Sequence, residues 1–179
     1  QTLRVRSNGV NDGMVRESTE TSGIGNYIDP SNQLLAVGDD SLKRQYVSIL
    51  DFNTSSLPDH AIVTSAVLRV KVMFLSNETY TKLGSLKAVF TNPFFGSSLQ
   101  LEKADFDNNT PVPVAGVFSK ASGINQWITL RLLSNNLSMV NNNGHTQFRI
   151  YFSKDDSNDV IKHQIGLLSG NYSVVTDRP

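Results

Sequence analysis

Gln147, Arg149 and Tyr151 offer an amide, a guanidinium and a phenol at two-residue spacing. On an extended chain that spacing sets all three on one face. Amides and guanidinium groups hydrogen-bond hydroxyls and carboxylates, and an aromatic ring gives a sugar ring something flat to pack against. The row is therefore a candidate glycan-binding surface, with Arg69 and Lys71 as neighbours that would extend it and Arg44 as a further one. Trp127, the only tryptophan, is a second candidate platform, although a lone Trp in an all-β domain is more often part of the core.

Oxygen donors are also plentiful. Glu17, Asp39, Asp40, Asp155, Asp156 and Asp159, with Glu20 and Asn158 beside them, are hard ligands of the kind calcium prefers, so a structural Ca2+ is an expectation. Asp155, Ser157 and Asp159 copy the start of an EF-hand loop, but Val160 stands where that loop needs glycine and Gly166 where it needs a bidentate glutamate. Aspartates that bond their own turns explain the same residues.

Catalytic patterns are scarce. Glu17 and Glu20 lie three residues apart, which on a strand turns them to opposite faces and spoils an acid and base pair. The three histidines (His60, His145, His163) do not have zinc-ligand spacing, and there is no nucleophile elbow, phosphate loop or dinucleotide fingerprint. His145 with Gln147, Arg149 and Tyr151 is the only material for proton abstraction in a groove, as in a polysaccharide lyase. The expectation is a protein without an enzymatic activity.

These residues need strands to position them. Leu68, Val70, Val72 and Phe74 alternate with Arg69 and Lys71, the period of a strand with one wet side. Phe148, Ile150 and Phe152 alternate with the Gln147 row in the same way. In Lys43 to Phe52, both Leu50 with Phe52 and Val47 with Ile49 are apolar, which predicts a central strand covered on both faces. Strands are predicted at 2–6, 13–17, 34–37, 43–52, 61–75, 83–91, 127–132, 146–152, 163–168 and 172–175, separated by clusters of Gly, Pro, Asn, Asp and Ser. Only 132–140 could make a short helix. The fold class is all-β: one domain over residues 1–179, an antiparallel β-sandwich of jelly-roll type.

Composition narrows the setting. Sixteen basic and sixteen acidic residues balance, so the basic field of a nucleic-acid binder is missing. Cysteine is absent, which removes disulfides and thiolate metal sites. No apolar run approaches the eighteen or so residues of a membrane-spanning helix. The chain begins with Gln1, as a secreted product does after its signal peptide is cut. Sequons at Asn53, Asn77, Asn108, Asn136 and Asn171 fit glycosylation outside the cell, and an extracellular or cell-surface location is the expectation.

Several short motifs carry a resemblance. They are Asp12-Gly13 with Val15 and Glu17, Val37-Gly38-Asp39-Asp40, Arg44-Gln45-Tyr46 with Ser48-Ile49-Leu50 and Phe52, and Leu57-Pro58 with Ala61-Ile62. Phe95-Gly96, Asp105-Phe106, Thr146-Gln147-Phe148-Arg149, Asp155-Asp156 and Ser169-Gly170 continue the series. Together they resemble the secreted DNRLRE or disaggregatase-related β-sandwich domains, which are similar to carbohydrate-binding modules. In that family pattern an Arg-Pro pair leads into a closing strand, whereas this chain stops at Asp177-Arg178-Pro179.

The resemblance thus implies a sheet one strand short, while Thr2, Leu3, Arg4, Val5 and Arg6 have the alternation of a strand that could fill such a gap in another copy. Head-to-tail exchange of this kind grows filaments. The leading expectation is an extracellular structural subunit whose partners are copies of itself. The alternative is a glycan-binding module whose partner is a polysaccharide.

Overall fold

The structure is a computed structural model that describes residues 2–107 and 112–179. Ten antiparallel strands are present among the described residues: β1 Gly13–Glu17, β2 Gly25–Asp29, β3 Leu34–Asp39, β4 Gln45–Asn53, β5 Val67–Leu75, β6 Leu86–Thr91, β7 Val114–Val117, β8 Gln126–Arg131, β9 His145–Phe152 and β10 Gln164–Leu168. The pairings form two runs, β2-β1-β4-β9-β6-β7 and β3-β10-β5-β8. The fold is all-β and sandwich-like, as the alternating patterns predict.

Alternation explains how the runs stack. Leu50 and Phe52 of β4, Phe148, Ile150 and Phe152 of β9, and Ala88 and Phe90 of β6 meet Leu68, Val70 and Val72 of β5, Ile128 and Leu130 of β8, and Ile165 and Leu167 of β10 in one buried cluster. Every second residue points into it. Phe148 packs between two rings, edge-on to Phe52 at 5.8 Å and stacked on Phe90 at 5.5 Å.

The sheet is nearly closed. At one junction the Ser119 N–H donates to the Thr129 carbonyl at 2.8 Å and the Leu133 N–H to Ala115 at 2.9 Å, tying β7 to β8. At the other, Gly38 pairs with Tyr46 and Asp39 with Gln45. There Ala36 is served by side chains, its N–H meeting Met14 Sδ at 3.3 Å and its carbonyl accepting from Ser48 Oγ at 3.0 Å. Gly38 has φ +133°, and a Cβ there would lie 2.1 Å from the His163 carbonyl oxygen, so the β3–β10 approach requires glycine. Among the described residues, the gap expected for an absent closing strand is found at neither junction.

The amino-terminal segment also differs from expectation. Thr2, Leu3, Arg4, Val5 and Arg6 join no ladder. The Ser7 N–H donates to the Pro179 carbonyl at 3.0 Å and the Asn8 N–H to Asp51 at 2.7 Å, so the chain is fastened at residue 7 and exposed before it. Only Val5 leans on the core. Residues 172–175, expected as a strand, enter instead a 3-10 turn at Val175–Asp177, and the helix expected over 132–140 is a 3-10 segment, Ser134–Met139. Strands β2 and β7 and a short helix α1, Thr79–Leu83, were not foreseen.

A second apolar cluster lies on the far side of the first run. Val15, Val47, Ile49 and Val89 are covered there by Phe95, Leu101 and Phe106 from the segment linking β6 to β7. This strap is why β4 is buried on both faces, as its sequence predicts.

Candidate functional site

The two outer faces carry the residues proposed for binding, and the core separates them. On β9, Gln147, Arg149 and Tyr151 do point away from the inter-sheet core, but the strap lies over them. Gln147 is 1 % exposed; its amide donates to the Leu99 carbonyl at 2.9 Å and accepts from the Phe95 N–H at 3.0 Å. Arg149 is 5 % exposed, donates to the carbonyls of Asp105 (3.1 Å) and Asp107, and stacks 4.9 Å from the Phe95 ring. Burial pushes its guanidinium below the ordinary arginine value. The two residues fasten the strap rather than face solvent, a correction to their expected exposure. Tyr151 is half-buried, and burial raises its phenol.

Arg69 and Lys71 lie on β5, on the opposite outer face, so the five expected glycan-binding residues do not form one surface. Their neighbours come from β8, where Arg69 pairs with Thr129, Lys71 with Trp127 and Val67 with Arg131. Ile128 and Leu130 enter the core, which turns Trp127, Thr129 and Arg131 outward. Trp127 is half-buried with its ring outside the core, against the usual tendency of a lone tryptophan. The Arg69 guanidinium lies 4.8 Å from the Trp127 ring centroid. Lys71 Nζ is 2.8 Å from Asp177 Oδ2. Arg69, Thr129 and Arg131 are exposed, and no carboxylate stands among the six outward residues of these paired strands. Neither Arg69 nor Arg131 enters an ion pair among the described residues. Sequence reasoning missed Thr129 and Arg131; the same alternation that marked Arg69 and Lys71, applied to Ile128 and Leu130, would have found them.

A groove of about 590 Å³ at the end of β9 is lined by Gln45, Arg149, Tyr151, Lys154, Asp155 and Asp156, among others. It gathers Arg149 and Tyr151 with two of the expected calcium ligands. Burial raises the Asp156 carboxyl, and the charges of Asp155, Glu20 and Asp39 add to that.

The other expected metal ligands are occupied by the chain itself. Glu17 accepts from the Gly23 N–H at 2.8 Å and the Gln45 N–H at 3.2 Å. Asp39 accepts from the N–H groups of Ser157 (2.6 Å) and His163 (3.0 Å). For Asp40, burial acts to raise the carboxyl, but the Arg44 guanidinium at 2.7 Å and local N–H donors outweigh it and hold the carboxyl below the ordinary range. Asp159 falls to about 2 because the Ile161 N–H, Lys82, Ser157 and His163 all favour its charged form. Among the described residues no group of three or more His, Asp or Glu side chains converges as a metal cage would.

His145 is partly exposed, its Nδ1 lying 2.9 Å from Asp51 Oδ2, whereas Gln147 and Arg149 are buried under the strap, so the four residues weighed for lyase chemistry do not open onto one cleft. Of the sequons, Asn53 and Asn77 are exposed. Asn136 and Asn171 donate their side-chain amides to the carbonyls of Val114 (2.8 Å) and Pro30 (3.2 Å). Asn108 lies outside the described residues.

Comparison with known proteins returns no matching family model and no similar curated protein. No helix among the described residues is long and apolar enough to cross a membrane.

Proposed function

We propose that the chain is a non-catalytic, extracellular polysaccharide-binding module whose ligand lies on the open face of β5 and β8. The observation that carries this reading is the Arg69–Trp127 stack beside Thr129, Arg131 and Lys71 on one face of a pair of strands. Stacking on the indole holds the guanidinium plane in place, so less rotamer freedom is lost when its N–H edge meets a carboxylate, sulfate or hydroxyl. Thr129 adds a hydroxyl, and Arg131 a second planar cation. The balance of sixteen basic against sixteen acidic residues favours a local ligand of this kind over nucleic acid, whose binding draws on many phosphate contacts.

Because Trp127 is the sole tryptophan, its fluorescence reads the face directly. Titration with acidic and neutral oligosaccharides is expected to shift the emission of the native protein, and Arg69→Gln is expected to weaken that binding about tenfold. Emission unchanged by every polysaccharide would remove the reading.

A second reading, an assembling structural subunit, is favoured by one feature: Thr2–Arg6 lies outside every ladder, with all of its residues but Val5 exposed. Such a segment is available to pair with another copy, and head-to-tail pairing extends into a filament when the rotation between copies does not close. Light scattering and negative-stain microscopy with and without residues 2–6 test it; assembly that survives the deletion contradicts it.

A further inference from the structure

We infer that the open edge of β2 receives the Thr2–Arg6 arm of a second copy. This rests on the assembly reading above and supplies the acceptor it lacked. The edges of β7 and β8 are tied to one another, and that of β3 is tied to β4 and covered by Met14 and Ser48. β2 pairs with β1 alone, and among the described residues no other backbone hydrogen bond reaches Gly25–Asp29. A row of unpaired N–H and C=O groups of this length is a template for an incoming strand.

The strand's own residues do little to guard this edge, although Lys103 Nζ reaches Asn26 Oδ1 at 3.4 Å. Its residues, Gly25, Asn26, Tyr27, Ile28 and Asp29, include no lysine or proline to deter pairing, and its one charge is a carboxylate. The arm is its complement: five residues to match five, with Arg4 and Arg6 as its charges. Leu3 and Val5 alternate with those arginines, so an added strand would carry them on one face, where Ile28 already packs against the outer cluster. Ile24, just before the strand, is 63 % exposed, leaving apolar surface for the arm to cover.

The chain has no cysteine, so introduced thiols report single contacts. Protein carrying Leu3→Cys is mixed with protein carrying Asn26→Cys under mild oxidation, and in parallel with protein carrying Val117→Cys on β7. Asn26 and Val117 are both exposed, so neither change threatens folding. A mixed disulfide-linked pair is expected with Asn26→Cys, and little with Val117→Cys, because the bond needs the Cβ atoms within about 4.5 Å. Linkage to Val117→Cys in preference, while light scattering shows arm-dependent assembly, overturns β2 as the acceptor and leaves the assembly reading standing. A chain of residues 1–179 that stays monomeric at about millimolar concentration overturns both.

Discussion

The outer faces of β9 and β5 start from the same kind of sequence and end differently. Each alternates core residues with polar and cationic ones, Gln147, Arg149 and Tyr151 on one strand, Arg69 and Lys71 on the other. Over β9 a strap carrying Phe95, Leu101 and Phe106 closes, and the polar row becomes its fastening. Over β5 and β8 no equivalent strap lies among the described residues, and Arg69 stacks on a half-buried Trp127. Two-residue periodicity assigns a side chain to a face; whether that face meets water depends on a segment elsewhere in the chain.

The largest expected effect breaks the covered side. Phe106 is the fully buried anchor of the strap, and Phe106→Ala should cost about 3 to 5 kcal/mol, measured by denaturant unfolding. Next is Arg149→Ala, which removes the donors to two strap carbonyls and should cost about 2 to 3 kcal/mol while leaving polysaccharide binding on the far face intact. An Arg149→Ala protein that is as stable as the parent but blind to ligand would reverse the roles assigned to the two faces.

Much of this was legible beforehand. The alternation of Leu68, Val70 and Val72, and of Phe148, Ile150 and Phe152, placed both strands and both faces correctly. The doubly apolar β4 announced a cover on its outer side before that cover was visible. The identity of the cover was not legible, because Phe95, Leu101 and Phe106 sit in a turn-rich segment without periodicity, about fifty residues from the β4 residues they protect. β2 escaped notice for a related reason. Gly-Asn-Tyr-Ile-Asp has no alternating pattern, and it is a strand because β1 offers it an edge.

The comparison is sharpened by pH. Asp105, in the strap, is raised to about 7 by burial, with the Glu102 charge adding and Arg149 opposing. Asp12, where the first residues meet β4 and β10, is raised to about 7 by burial against the N–H donors of Asp51 and Gly170. In the unfolded chain both return to about 3.9. Between those values the folded state holds protons the unfolded state has released, so this stability is full below about 4 and is lost as pH rises to 7. Melting temperature should therefore fall from pH 5 to pH 8, and Asp105→Asn should flatten the fall. A rise in melting temperature over that range would contradict the assignment.

Smallest are the stability effects on the open face. Lys71→Ala, which frees Asp177, should cost about 0.2 to 1 kcal/mol, and Arg69→Gln a similar amount. Thermal melts that show more would mean the face is holding the fold together, as the β9 row does.

The most direct test is an amide NMR titration with an acidic oligosaccharide, read along the whole chain. Shifts concentrated in residues 67–71 and 127–131, with 145–151 unmoved, are the predicted result. Shifts centred on Gln147, Arg149 and Tyr151, with β5 and β8 silent, would contradict it.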